Sequence, residues 1–268
     1  MNKLLLTVTL VVLSLASCFR NEVTGRKQLK FIPESQLRQL SVTEYNSFLT
    51  KNRIIRDYNN PNSAMVKRIG NKIAAAITQY YGQQGKFDVV KDYNWEFNLV
   101  DKNEINAWCM PGGKVVVYTG LLPVARNENA LAVVMGHEIA HAVAGHGGER
   151  MSQAMIAQGL GTIGNIATSG NPSVNLLFDN IFGIGAQTGF LLPNSRKNEL
   201  EADRFGLYFS AMAGYDPREA VPFWQRMAQA GGQKPPEFLA THPSDERRIQ
   251  QLEHYMDEAI RYYNASLH

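Results

Sequence analysis

Only two of the 268 residues are cysteine, and only 19% are charged. Two thiols cannot build a disulfide framework, so folding has to rest on a hydrophobic core. A 44% hydrophobic content and this length allow one sizeable core or at most two small ones. The formal net charge is +3 and no dense basic run appears, which removes any argument for a nucleic-acid partner. An apolar run long enough to span a bilayer is also lacking; Leu4 to Leu15 is too short. No internal repeat is visible. Charge nearly vanishes from Met151 to Ser195, where Asp179 stands alone, but Gln158, Asn165, Asn171, Asn180 and Gln187 interrupt that stretch.

What is present begins with a leader. Lys3 precedes the apolar run and small residues follow it, the layout of a secretory signal. Leu15-Ala16-Ser17-Cys18 resembles a bacterial lipobox, in which the cysteine is lipidated. The expected organisation is therefore a signal peptide over 1–17, a lipidated tether over 18–31 and one catalytic-size domain over 32–268. Membrane attachment through the Cys18 lipid is expected, in a bacterial cell envelope. Phe19 stands where an aspartate would retain the chain at the inner membrane, so the expected location is the outer membrane, facing the periplasm. Cys109 is then left without a partner and is expected as a small buried residue on a strand.

Periodicity predicts an α+β, mainly helical fold. Ile32 to Asn52 and Ser63 to Tyr81 read as helices, the second with Met65, Ile69, Ile73 and Ile77 on one stripe. Trp95 to Val100 alternates as a half-buried strand does, Ile105 to Met110 suggests a second, and Lys114 to Thr119 a third after the Pro111-Gly112-Gly113 turn. These predict a small antiparallel sheet. Helices are expected again over Ser195 to Met212, Pro217 to Ala230 and Ser244 to about Tyr263. Gly159 to Gly164 matches a dinucleotide-binding pattern, but no strand precedes it, so the match carries nothing. The Met151 to Ser195 stretch is expected as weakly polar helices over the site described next, or as a greasy surface facing substrate or membrane.

The chemistry concentrates in Asn127 to Arg150, which contains His137-Glu138-Ile139-Ala140-His141. Two histidines four apart on a helix project about 40° from one another, so both reach one ion. Asn127 is placed to cap this helix, and Ala130 to Met135 is apolar on every side, as in a helix through a core. A metal supplies the partner that buried histidines need. Glu138, between them, is the candidate base. A catalytic zinc usually takes three protein ligands. His146, nine residues after His137, lies about 180° round a continuous helix and is excluded, leaving it to cap or pack the helix end. Glu199 is the better third ligand, with Asp203 one turn on to hold a ligand histidine through its other nitrogen, and Glu201 turned about 200° away.

His137-Glu138-x-x-His141 and Ser195-Arg196-x-x-Glu199-x-Glu201-Ala202-Asp203 together resemble peptidase family M48, the family of HtpX and the CAAX prenyl proteases, in particular its soluble periplasmic lipoprotein branch that includes LoiP and BepA. Asn106-Ala107, Pro111-Gly112-Gly113, Tyr118 to Leu122, Thr241-His242-Pro243 with Arg248, and Val23-Thr24-Gly25-Arg26 extend the resemblance over most of the mature chain. It implies a gluzincin-like zinc endopeptidase with one zinc on His137, His141 and Glu199. It implies substrate backbone contact by Asn106 from an edge strand. It places His242 and Arg248 near the metal, assisting the oxyanion or, for His242, plugging the open coordination position. The partners implied are unfolded or misfolded envelope proteins. A different class stays open beside it: a non-proteolytic chaperone with a structural or plugged zinc site.

Overall fold

The computed structural model describes residues 18–56, 60–157, 172–182, 195–230, 237–242 and 246–268. The expected leader over 1–17 and the Gly159 to Gly164 match therefore lie outside the described residues, and so does Pro243.

Two short strands, β1 (Cys18–Arg20) and β2 (Lys27–Leu29), pair antiparallel as a hairpin. Helices α1 (Glu34–Lys51) and α2 (Pro61–Gln83) follow, each near its expected span. Asn60 caps α2 by accepting from the Asn62 and Ser63 amides, and Val66, Ile69, Ile73 and Ile77 form its buried stripe. Strands β3 (Glu96–Val100), β4 (Ala107–Met110) and β5 (Lys114–Tyr118) form one sheet in the order β3-β5-β4. The helices after it are α3 (Leu122–Ala125), α4 (Glu128–Val143), α5 (His146–Ala157), α6 (Pro172–Phe182), α7 (Arg196–Met212), α8 (Ala220–Gln229), α9 (Glu237–Thr241) and α10 (Glu246–Ser266). None of the described helices is long and apolar enough to cross a membrane.

The fold is α+β and mainly helical, as the sequence predicts, but its sheet is mixed rather than antiparallel. β4 and β5 are antiparallel through the Pro111-Gly112-Gly113 turn, where both glycines have positive φ. β3 pairs with β5 in parallel. The physical reason lies in the 101–106 connection. It loops around the end of β5, with the Lys102 carbonyl accepting from the Gly120 amide and the Asn106 carbonyl from the Tyr118 amide, and holds β3 and β4 one strand apart. β5 fills that slot, which leaves β4 at the edge facing α4.

Helix α4 carries the metal motif through the core. Ala130 to Ala144 is buried without interruption apart from chemistry-bearing His137, Glu138 and His141, which are buried too. Its most extensive partner is α7. The two cross at glycines: a Cβ at Gly136 would stand 2.6 Å from the Gly206 carbonyl oxygen, and one at Gly206 would stand 2.6 Å from the His137 amide nitrogen. Backbone-to-backbone contact of this kind brings residues of both helices to one point.

The helix predicted over Asn127 to Arg150 is two helices. Asn127 caps α4 by accepting from the Ala130 amide, as expected. α4 ends at Val143, Gly145 adopts φ +65, and α5 starts at His146. A residue with a side chain resists that left-handed conformation, so the glycine sets where the chain turns.

Candidate active site

α4 contributes His137 and His141, α7 contributes Glu199, and the turn after α9 contributes His242. One donor atom from each lies within 4.8 Å of all the others, and all four residues are buried. The His137 and His141 Nε2 atoms are 3.1 Å apart. His242 Nδ1 is 3.3 Å from His137 Nε2 and 3.0 Å from Glu199 Oε1. Glu199 Oε2 is 3.4 Å from His137 Nε2, and Oε1 is 3.3 Å from His141 Nε2. Ser195 caps α7 by accepting from the Asn198 amide, which fixes the helix start at Arg196, three residues before Glu199.

The sequence-predicted residues meet here with distinct roles. Asp203 Oδ1 is 2.9 Å from His137 Nδ1, on the ring side away from the cluster. Arg248 donates to Asp203 from Nε and Nη2, both at 2.7 Å, and its Nη1 is 3.3 Å from Glu199. Its guanidinium lies over the Trp224 ring at 4.1 Å. Arg248 thus grips the two carboxylates that hold and complete the cluster, a placement that differs from the oxyanion contact implied by resemblance. Asn106 lines the cleft in front of the cluster together with β4, Glu138 and His242. Its Oδ1 accepts from the Ala107 amide, which fixes the strand start. The described part of the charge-poor stretch also borders this cleft, through Ile181 and Phe182 of α6. The Cys18 side chain lies outside what the structure describes; Cys109 is a buried free thiol on β4.

Glu138 is not a cluster donor. Its Oε1 is buried without a hydrogen-bond partner among the described residues and faces His242 Nε2 at 3.5 Å. Burial raises its pKa above the usual carboxylate range, although the nearby His242 and His137 pull the other way. Glu199 is the opposite case. Burial pushes it up, but His242 and His141 outweigh that and hold it well below the usual value. Burial likewise penalises charged His137, yet the Asp203 and Glu199 carboxylates raise its pKa to about 9. His141, with burial dominant, is held well below the ordinary imidazole value.

That asymmetry predicts how the chelated, metal-free protein responds to pH. His137 keeps its proton in the fold up to about 9, whereas an unfolded imidazole releases it near about 6.5. The folded state therefore binds more protons in that window, and stability falls as pH rises through it. The Tm of the chelated protein should drop between pH 7 and pH 9. A flat or rising Tm over that range would contradict the assignment.

Three residues that sequence alone did not place also join the site. His146 Nδ1 is 2.9 Å from His141 Nδ1, and His146 Nε2 is 3.0 Å from Glu201. Arg26 donates to Glu201 and to Glu149. His146 is not a cluster donor, but not for the reason of continuous helical spacing: the turn at Gly145 brings it back against His141. The signal was the glycine after Ala144, which ends the helix before the nine-residue spacing can be counted on. Arg150 is a further cleft residue, its pKa lowered to about 10 by burial against the pull of Glu199 and Glu138.

Comparison with known proteins bears on this geometry. The profile of peptidase family M48 matches residues 64–256, which include every donor of the cluster. The chain belongs to peptidase family M48. This M48 chain is 33% identical over 215 residues to mitochondrial metalloendopeptidase OMA1 of Saccharomyces cerevisiae, covering 77% of the chain and 59% of that protein. It is 32% identical over 248 residues to human metalloendopeptidase OMA1, covering 89% of the chain and 46% of that protein. It is 31% identical over 191 residues to the beta-barrel assembly-enhancing protease of Escherichia coli, covering 65% and 37%. The chain thus spans about half the length of the OMA1 relatives it matches.

These likenesses correct one expectation. Relatives matching most of this M48 chain carry a mitochondrial location in their names, which overturns the lipid-anchored bacterial outer-membrane location read from the leader. The physical reason is that a short apolar run with a cysteine is a local compositional signal, and such a signal does not encode which membrane system reads it.

Proposed function

We propose that the chain is a zinc endopeptidase that cleaves extended segments of unfolded or misfolded proteins, with one zinc on His137, His141 and Glu199. The observation that carries this is the buried donor cluster opening onto a cleft bordered by an edge strand. Donors about 2.0–2.1 Å from a tetrahedral zinc stand about 3.3 Å from one another. The closest nitrogen and oxygen separations, 3.0 to 3.4 Å, are near that value, and one donor from each residue lies within 4.8 Å of the rest. Glu199 Oε2 is buried with no hydrogen bond among the described residues, only the longer ion-pair contacts to Arg248 and His137, and a cation would complete its coordination. The names of the M48 relatives, metalloendopeptidase and protease, support the same reading.

A bound zinc supplies Lewis acidity to the scissile carbonyl and to water. The rest is done by the chain. Glu138, with its pKa raised by burial, takes a proton from the attacking water and delivers it to the leaving amine. Asp203 accepts from His137 Nδ1, so that Nε2 keeps its lone pair for the metal. An extended substrate adds alongside β4, with Asn106 at one end. Strand addition reads backbone more than side chains, which suits unfolded clients of many sequences.

His242 Nδ1 sits among the donors, so a bound metal would meet four protein donors unless His242, which comes from the turn after α9, swings away. Four ligands close a zinc site, and this is the observation that favours the second reading, a non-proteolytic chaperone with structural zinc. The two separate in one experiment. The full chain and His242→Ala are incubated with an unfolded model protein, each with and without chelator. Cleavage that rises at least tenfold in His242→Ala and disappears on chelation is expected. Silence of both proteins with zinc bound would remove the endopeptidase reading and leave the chaperone.

A further inference from the structure

The two metal-site imidazoles are backed differently. His137 rests on Asp203, which Arg248 clamps from the last helix. His141 has no carboxylate of its own. Its Nδ1 meets His146 Nδ1 at 2.9 Å, His146 Nε2 meets Glu201 Oε2 at 3.0 Å, and Glu201 accepts from Arg26 Nε at 2.6 Å and Nη2 at 3.0 Å. Arg26 comes from the other end of the chain, at the start of β2, and also grips Glu149 at 2.5 and 2.7 Å and Asn198 Oδ1 at 3.2 Å. The hairpin bearing it is pinned to the end of α4, because Asn21 and Gln28 both donate to the Ala144 carbonyl at 2.9 Å.

The bond directions follow from the Arg26 end for a neutral His146. A guanidinium only donates and an ionised carboxylate only accepts. Glu201 must therefore accept from His146 Nε2–H as well as from Arg26. A neutral imidazole has one N–H and one lone pair, so with Nε2–H given to Glu201 the His146 Nδ1 offers the lone pair. The facing His141 Nδ1 must then carry the proton, which leaves Nε2 of His141 unprotonated and turned to the cluster. The opposite polarity would put a proton on the donor atom and block the metal.

We propose that Arg26, Glu201 and His146 form a positioning relay that fixes the metal-binding tautomer of His141 and so couples metal retention to the N-terminal hairpin. It rests on the reading that the cluster holds zinc, and the two can fail separately. His146, Glu201 and Arg26 act through His141 and touch neither metal nor substrate, so they are positioning residues.

The test is the zinc dissociation constant of the full chain, by chelator competition, with the Tm of the metal-free protein measured beside it. His146→Leu removes the acceptor and should weaken zinc binding roughly 10- to 100-fold, the usual effect of losing a group that orients a ligand histidine. His146→Asn keeps an acceptor oxygen where Nδ1 was and should recover most of that loss. Arg26→Met, at the more exposed but still largely buried end of the relay, should weaken zinc roughly threefold to tenfold, and it serves if His146→Leu does not fold. The metal-free Tm should be similar for the Leu and Asn variants. Nitrogen NMR of the zinc-loaded wild type should find the His141 proton on Nδ1. The relay is overturned by zinc affinity in His146→Leu and Arg26→Met within twofold of wild type, by absent rescue in His146→Asn, or by a proton on Nε2. Absence of zinc binding by the wild type would instead overturn the metal reading beneath it.

Discussion

Replacing Glu138 by glutamine should slow peptide hydrolysis roughly 10²- to 10⁴-fold while leaving zinc in place. The size of the loss follows from what the side chain does. Glu138 gives no donor to the cluster, so the amide leaves the ligands intact. Its Oε1 is one of few buried side-chain oxygens without a hydrogen-bond partner among the described residues, which is costly to maintain unless water and substrate fill the place. Burial raises its pKa, so it holds a transferred proton more readily than an exposed carboxylate would. An amide of the same shape cannot hold that proton at all. Cleavage of an unfolded protein, with zinc content measured on the same sample, decides it. Activity within tenfold of wild type would show that another group moves the proton.

The second large effect is expected at Arg248. Arg248→Met should destabilise the protein by about 3–5 kcal/mol, because it strands partners that stay buried and charged. Asp203 is 3% exposed and Glu199 1%, and the same guanidinium serves both. For a protein of this size that corresponds to a Tm lower by roughly 6–20 °C. Removing the charge at both ends in Arg248→Met with Asp203→Leu should recover part of the loss in the metal-free protein, since a buried pair replaced by apolar groups is often close to neutral. Zinc should also shrink the single-variant loss, because it neutralises Glu199. A fall below 2 °C in the metal-free single variant would mean that solvent reaches these carboxylates.

Much of this site could be read from the sequence because its core is local. His137 and His141 share a face by helical spacing alone, and Glu199 and Asp203 do the same one helix later. No long-range fact is needed to see either pair, only to see that they meet. The pairing of β3 with β5 was not legible, and the edge position of Ala107 to Met110 was implied only by family resemblance. Strand order depends on how the 101–106 loop travels, and alternation of hydrophobic residues says nothing about neighbours. The relay behind His141 was hidden for a similar reason. His146 reaches His141 only because α4 stops at Val143 and the chain turns at Gly145, and Arg26 reaches Glu201 across 175 residues. Arg248 was legible as a neighbour of the metal, but its grip on Asp203 and Glu199 required the last helix to be docked.

The glycine crossing of α4 and α7 has a bearing on which ions the site accepts. With main chains in contact at Gly136 and Gly206, neither helix can retreat from the other by a change of rotamer. The separation of the two helices is thereby set by touching backbones, and the donor side chains of His137, His141 and Glu199 reach inward from that base. A cation of larger radius, such as cadmium, has to be met by bending imidazoles out of line and loosening His137 from Asp203. The expected consequence is weaker binding of the larger ion, which competition between zinc and cadmium measures.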